Sequence, residues 1–252
     1  MKILAQFPTL ARPEKFLKCL EKYINSTSGQ HEIFFNINCD VSDTLMYNQE
    51  VIDSVQEIFL NQERSQDLKW HDHFCSGIFH FDEHTTKISA VNSNMDNIPI
   101  EYKDWDIVIV ISDDMIPQVS HWDDEIAQAM LEHYPDLDGC ISFGDGYSDK
   151  EGLITFSILG RKLYDHFGYI YHPDYKSLYS DQEFTEEVKR LDKVTYIDKM
   201  IIKHEHYAEE GNSNSGQCDY SAKKTLYFSG RDEQVFEERK KLGFPTERIT
   251  QD

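Results

Sequence analysis

This sequence predicts an α/β protein with a Rossmann-like, mostly parallel central sheet flanked by helices. Strand-like and helical stretches alternate through the first hundred or so residues. The most β-branched run, Ile107-Val108-Ile109-Val110-Ile111, is apolar at successive rather than alternate positions, as a strand covered on both faces requires. A chain of 252 residues that is 39% hydrophobic and 28% charged is also long enough to bury a sizeable core, and its 12 Gly and 7 Pro argue against a collagenous or low-complexity chain.

Residues 2–7 read as a short buried strand, followed by the loop Pro8-Thr9-Leu10-Ala11-Arg12. Pro13 suits the first position of a helix whose apolar face is Phe16, Leu17, Leu20, Tyr23 and Ile24, and the polar run 25–29 ends it. A second strand at 33–37 closes on Asn38-Cys39-Asp40, and Leu45, Met46, Val51, Ile52, Val55, Ile58 and Phe59 supply a second helical face. The aromatic and histidine-rich stretch 70–74 has no clean period, whereas 77–81 reads as a third strand and Lys87 opens another helix. The 106–111 strand should be central. Beyond it, strands are expected at 139–143, 155–159 and 195–202, and helices at 161–167, 181–190 and 231–241. No linker or repeat divides the chain, so the expected organisation is one unit over 1–210 and a helical tail over 211–252 that packs on it or closes over it.

With 46 acidic against 25 basic residues the formal charge is −21, which repels polyanions and makes nucleic acid an unlikely partner. No apolar run approaches the ~20 residues that span a bilayer, so no membrane span is expected. The five cysteines are odd in number and form no C-x-x-C pair, which fits reduced thiols and a cytoplasmic location.

The charge is unevenly spread: residues 101–138 hold eleven acids against the single base Lys103. Inside that stretch the central strand runs into Ser112-Asp113-Asp114-Met115. Ligands of open α/β sheets bind beyond the carboxyl ends of the strands, and carboxylates there can hold Mg²⁺ or Mn²⁺ against a diphosphate; an Asp pair after a strand can equally make a plain turn. Farther on, Lys203-His204-Glu205-His206 ends an extended run, so His204 and His206 share a face as candidate metal ligands, or are two surface histidines beside acidic residues. Ser180 or Asp181 is placed to cap the helix that ends at Arg190, and an acid held there also suits a general base acting on an alcohol. Tyr164, Phe167, Tyr169, Tyr171, His172, Tyr175 and Tyr179 offer flat aromatic surfaces to a ligand, or are core.

In their order along the chain these segments resemble the nucleotide-sugar-dependent glycosyltransferases of the GT-A fold, in particular the family 2-like inverting enzymes. Phe7-Pro8-Thr9-Leu10-Ala11-Arg12-Pro13 looks like that family's first strand and loop, which makes Pro8, Thr9 and Arg12 donor-binding candidates. Asn38-Cys39-Asp40-Val41-Ser42-Asp43 looks like the acidic loop that holds uracil or ribose, with Asp40 as its candidate. Thr86-Lys87-Ile88-Ser89-Ala90-Val91-Asn92 is similar to the segment that touches the diphosphate-sugar, through Lys87 and Asn92. Ile111-Ser112-Asp113-Asp114-Met115, with His121-Trp122-Asp123 after it, resembles the Asp-x-Asp region. It departs from the pattern in having Ser112 first, so metal ligation falls to Asp114 while Asp113 faces the sugar or ribose. Asp181 takes the place of the catalytic acid, and His204 or His206 that of the carboxy-terminal metal histidine. The resemblance implies a divalent cation, Mn²⁺ or Mg²⁺, and a donor of the UDP-sugar kind. It also implies a carbohydrate or other hydroxyl acceptor, and inversion with Asp181 as base. A binding module without catalysis, or a hydrolase using Asp113, Asp114, His204 and His206, are the alternatives.

Overall fold

The computed structural model of the chain describes residues 1–63, 75–84, 86–146, 152–205 and 226–247. In chain order its elements begin β1 (Lys2–Thr9), α1 (Pro13–Asn25), β2 (Glu32–Asp40), α2 (Gln49–Glu63), β3 (Cys75–Asp82), α3 (Lys87–Asn92), β4 (Ile107–Val110) and β5 (Met115–Pro117). They continue with α4 (Trp122–His133), β6 (Cys140–Phe143), β7 (Ile158–Gly160), α5 (Arg161–Phe167), α6 (Ser180–Arg190), β8 (Val194–Ile197), β9 (Ile202–His204) and α7 (Ser229–Lys241).

Strand β1 is buried from Ile3 onward and β2 from Ile33 to Cys39, which requires cover on both faces. Period-two alternation sends the side chains of each strand into two cores. Ile3, Ala5 and Phe7 join Phe16, Leu20 and Tyr23 of α1 and Trp122 and Ile126 of α4, whereas Leu4 and Phe34 join Ile88 and Val91 of α3, Leu163 of α5, Phe184 of α6 and Phe236 of α7. Seven strands make the main sheet, in the order β3-β2-β1-β4-β7-β6-β8. All neighbours are parallel except at β7, which runs antiparallel to β4 and to β6. The expected central strand therefore sits in the middle of the order. Among the described residues no helix is long and apolar enough to cross a membrane.

Three local expectations need correction. The run 195–202 is two strands rather than one: the charged pair Asp198-Lys199 breaks it, with the Lys199 N–H turning back to the Ile197 carbonyl at 2.7 Å. β8 stays in the main sheet, while β9 leaves it to pair antiparallel with β5. Helix α2 starts later than its apolar pattern, because the Asp43 carboxylate accepts the N–H groups of Leu45 and Met46 in a turn and Asn48 then caps Val51 at 3.0 Å. Neither Ser180 nor Asp181 caps α6; Tyr179 occupies that position in the left-handed region (φ 64°), with no side-chain cap.

Helix α3 is short and begins sharply because Thr86 and Ser89 form a capping box, Thr86 Oγ1 accepting the Ser89 N–H at 3.1 Å and Ser89 Oγ accepting the Thr86 N–H at 3.3 Å. The box fixes Lys87 at the first helical position.

Candidate active site

The carboxyl ends of β1, β2, β4 and β6 lie along one edge of the sheet, because these strands run in the same direction. At that edge β4 ends in Ser112-Asp113-Asp114, where the Met115 N–H closes a tight turn on the Ser112 carbonyl at 3.0 Å. The Ser112 hydroxyl donates to Asp114 Oδ1, so the serine that departs from the family pattern orients the second aspartate.

Pairing of β5 with β9 sets Met115 opposite His204. The Glu205 N–H donates to the Asp114 carbonyl at 2.7 Å and the His204 N–H to the Asp145 carbonyl at 2.9 Å, which leaves His204 Nε2 3.8 Å from Asp114 Oδ1. Two ligands each about 2.1 Å from one small divalent ion lie roughly 3–4 Å apart, and a carboxylate with an imidazole is a donor set that suits Mn²⁺. The pair therefore fits such an ion. His206 lies outside the described residues.

From the loop after β1, Arg12 reaches across to Asp113 at 2.5 Å and Asp114 at 3.8 Å. That loop is held open by Asp43, whose carboxylate accepts the Ala11 N–H at 2.6 Å. Asp113 is buried, and burial pushes its carboxyl up to about 7 against the pull of the Arg12 guanidinium, with the Asp114 charge adding to the rise. Asp114 goes the other way. Burial raises it, but the Ser112 hydroxyl, Lys87, Arg12 and His204 together outweigh burial and hold it below the ordinary carboxylate range. At the head of α1 a shallow, open depression is lined by Arg12, Lys15 and Lys18 with Pro13 and Glu14, a basic patch on an acidic protein.

Asp181, in the first turn of α6, is partly buried; its carboxyl is pushed up by burial, opposed by Lys87, by the Gln182 N–H and by His204. Lys87 thus acts on Asp114 and Asp181 alike, so segments far apart in sequence converge on one place: Arg12, Lys87, Asp114, Asp181 and His204.

The remaining candidates separate into two kinds. Pro8 and Thr9 end β1 opposite Asn38 and Cys39, and the buried Thr9 hydroxyl makes no hydrogen bond among the described residues. Asp40, half-buried at the end of β2, accepts the Ser42 N–H at 2.9 Å and its hydroxyl at 2.7 Å, an Asx turn that shapes the neighbouring loop. Asn92 works as scaffold: its carbonyl accepts the N–H groups of Ile170 and Tyr171 at 3.0 and 3.2 Å and its amide donates to the Tyr171 carbonyl at 2.6 Å. Of the aromatic run, Tyr171 and Tyr175 are core residues, Tyr171 bonded to Ser157 and Tyr175 to Glu183.

Asp145 was not among the sequence candidates. It is buried after β6, accepts the Thr155 hydroxyl, and its carbonyl positions His204. Its signal was present, since Gly144-Asp145-Gly146 directly follows an apolar strand at the ligand-binding edge.

No protein-family model matches this sequence, and comparison with curated proteins gives no match. Solved structures do match. S. aureus TarS superposes with a TM-score of 0.54 at 13% identity over 81% of this chain and 36% of its own. Its 1–349 fragment in complex with UDP gives 0.54 at 11% identity over 81% and 60%. The mannosyltransferase PcManGT from Pyrobaculum calidifontis, in complex with GDP-Man and Mn²⁺, gives 0.55 at 11% over 80% and 56%. This is the GT-A fold. The chain spans between 36% and 60% of the lengths of these proteins. In the GT-A arrangement found here, the edge that collects Asp114, His204, Lys87 and Asp181 is the carboxyl edge of the parallel strands.

Proposed function

We propose that the chain is an inverting glycosyltransferase that moves a sugar from a nucleotide-diphosphate donor, a UDP-sugar first of all, to an acceptor hydroxyl. The observation that carries this reading is the convergence of Asp114 and His204 with Lys87 and Asp181. The two neighbours that hold UDP, or GDP-Man with Mn²⁺, on the same fold support it. Asp114 and His204 would hold a divalent cation, which supplies charge neutralisation for the leaving nucleoside diphosphate.

Asp181 accepts the proton of the acceptor hydroxyl. Burial makes its carboxylate a stronger base than an exposed aspartate. The acceptor oxygen forms its bond to C1 of the sugar from the face opposite the leaving diphosphate, and the C1–O bond to that diphosphate breaks with its electron pair leaving on the diphosphate oxygen. Arg12 and Lys87 offset the negative charge that grows there. The Thr9 hydroxyl and the Asp40 loop face the nucleoside, and Asp113 lies against the sugar or ribose. Residues 1–210 form the transferase unit in this reading and 211–252 its helical tail. A cytoplasmic setting is in keeping with Cys19, Cys39, Cys75 and Cys140, all free and buried.

Calorimetry with UDP tests the reading: binding is expected in Mn²⁺, lost in chelator and lost in Asp114→Ala. Product analysis with a panel of UDP- and GDP-sugars then separates transfer from hydrolysis. Equal UDP affinity with chelator and with Mn²⁺ would overturn the metal assignment, and nucleotide release with free sugar as the only product under every acceptor would favour a hydrolase.

A further inference from the structure

Helix α7 carries a carboxylate that none of the chemistry above uses. Asp232 is completely buried, and its two oxygens accept three successive backbone N–H groups, Lys176 at 3.0 Å, Ser177 at 2.7 Å and Leu178 at 2.9 Å, along with an Arg231 guanidinium N–H at 3.1 Å. Three consecutive amides can point at one carboxylate only when the backbone curls into a concave turn, so Asp232 dictates the shape of 176–178. Arg231 adds a bond to the Asp174 carbonyl at 2.8 Å.

The turn has a candidate catalytic group on either side. Upstream, the Lys176 carbonyl accepts the Ile88 N–H at 3.3 Å, the residue after Lys87. Downstream, Tyr179 is held at φ 64°, a conformation that a bulky residue keeps only where its surroundings over-determine it, and α6 with Asp181 begins immediately afterwards. The Tyr179 ring packs on Phe236 of the same helix α7 at 5.7 Å. Arg239, three residues beyond Phe236 on α7, grips Glu183 of α6 at 2.8 and 2.9 Å. Both ends of the turn are therefore referred to one helix.

We propose that Asp232 is a positioning residue, which fixes Asp181 relative to Lys87 through the 176–178 turn. This rests on the glycosyltransferase reading for what the two residues do, and not for the coupling itself. Asp232→Asn keeps size but replaces one accepting oxygen by an NH₂ that confronts backbone N–H donors.

The test compares wild type with Asp232→Asn, with the milder Arg231→Gln, and with Asp106→Asn as control. Asp106 accepts the Lys2 N–H at 2.8 Å, at the opposite edge of the sheet. All assays are run well below each variant's melting temperature. With the nucleotide sugar that wild type turns over, kcat of Asp232→Asn is expected to fall at least tenfold while UDP affinity in Mn²⁺ stays within twofold. Arg231→Gln should fall less, in the same direction, and Asp106→Asn should turn over as wild type does. Hydrogen exchange should quicken in both 86–90 and 180–184. Wild-type kcat in Asp232→Asn, or quickened exchange confined to 174–178 and 229–233, would overturn the proposal. If wild type neither binds UDP nor turns over any nucleotide sugar, it is the glycosyltransferase reading that fails, and the exchange pattern still decides whether Asp232 couples the two segments.

Discussion

Helix α6 separates two charged clusters that are built on opposite terms. Asp181 and Glu183 are two residues apart, so on a helix they point about 200° from each other. Around Glu183 the donors are matched: two acids share one cation, but every guanidinium N–H of that cation has an acceptor. The fully buried Arg239 donates to both Glu183 oxygens, to Asp174 at 3.2 Å and to the carbonyls of Pro245 and Glu247 at 2.5 and 3.3 Å. Around Asp181 the acceptors are not: Asp113 is buried, beside Arg12 but with neither carboxylate oxygen in a hydrogen bond among the described residues, Asp181 is raised by burial, and Lys87 is shared between two acids. A cation whose donors are all satisfied holds geometry, whereas acids with few hydrogen bonds have capacity left for a ligand or a proton.

The sharpest way to break this comparison is at Asp181. Asp181→Asn removes the proton acceptor but not the bulk, so transfer should fall by ~10²–10⁴-fold while melting temperature and UDP affinity barely move; a wild-type rate would end its assignment as base. Arg239→Ala should do the reverse. It strands Glu183 and Asp174 in the core, which costs about 3–5 kcal/mol, and calorimetry should show melting lowered by at least about 6 °C. A smaller change would mean that the matched cluster contributes little to holding α6.

A third expectation concerns pH. In chelator, between the ordinary aspartate value and about 7, the folded chain keeps a proton on Asp113 that the unfolded chain has released. Unfolding then releases a proton, so this group lowers stability as pH rises through that window, by at most about 1.4 kcal/mol per pH unit. Urea titrations at several pH values should show Asp113→Asn gaining on wild type from pH 4 to 7, and parallel profiles would contradict a raised Asp113. The smallest effect is expected at Asp40. Asp40→Ala should weaken UDP binding by about threefold to tenfold, the loss of one solvent-accessible hydrogen bond, with kcat unchanged at saturating donor because the contact is uniform. A lost kcat with unchanged KM would place Asp40 nearer the chemistry.

Much of the unmatched cluster was legible in the sequence, because it hangs on the ends of regular elements. The Ile107-Val108-Ile109-Val110 run showed where Asp113 and Asp114 emerge, and Lys87 came from the resemblance of its segment, the Thr86 cap that sets it being visible only in the structure. The matched cluster was not legible. Arg239 and Asp232 sit in a highly charged helix expected only to pack on the unit or close over it, and nothing local reveals that Glu183 and the 176–178 amides wait for them. The break at Asp198-Lys199 escaped for a related reason, since a strand's choice of partner is a tertiary property that propensity does not encode.

The small β5–β9 ribbon has a consequence for the order of events during synthesis. Its partner strands are distant along the chain, so a nascent polypeptide emerging from the ribosome presents Asp114 long before His204 exists to face it. Contacts of such high sequence separation close late, after the loop entropy between them has been met by other packing. Until then Asp114 has no imidazole across from it, and until α7 arrives the 176–178 amides have no carboxylate to curl around. A chain released early would therefore keep the parallel strands while lacking both the residue that faces Asp114 and the carboxylate that shapes the turn before α6.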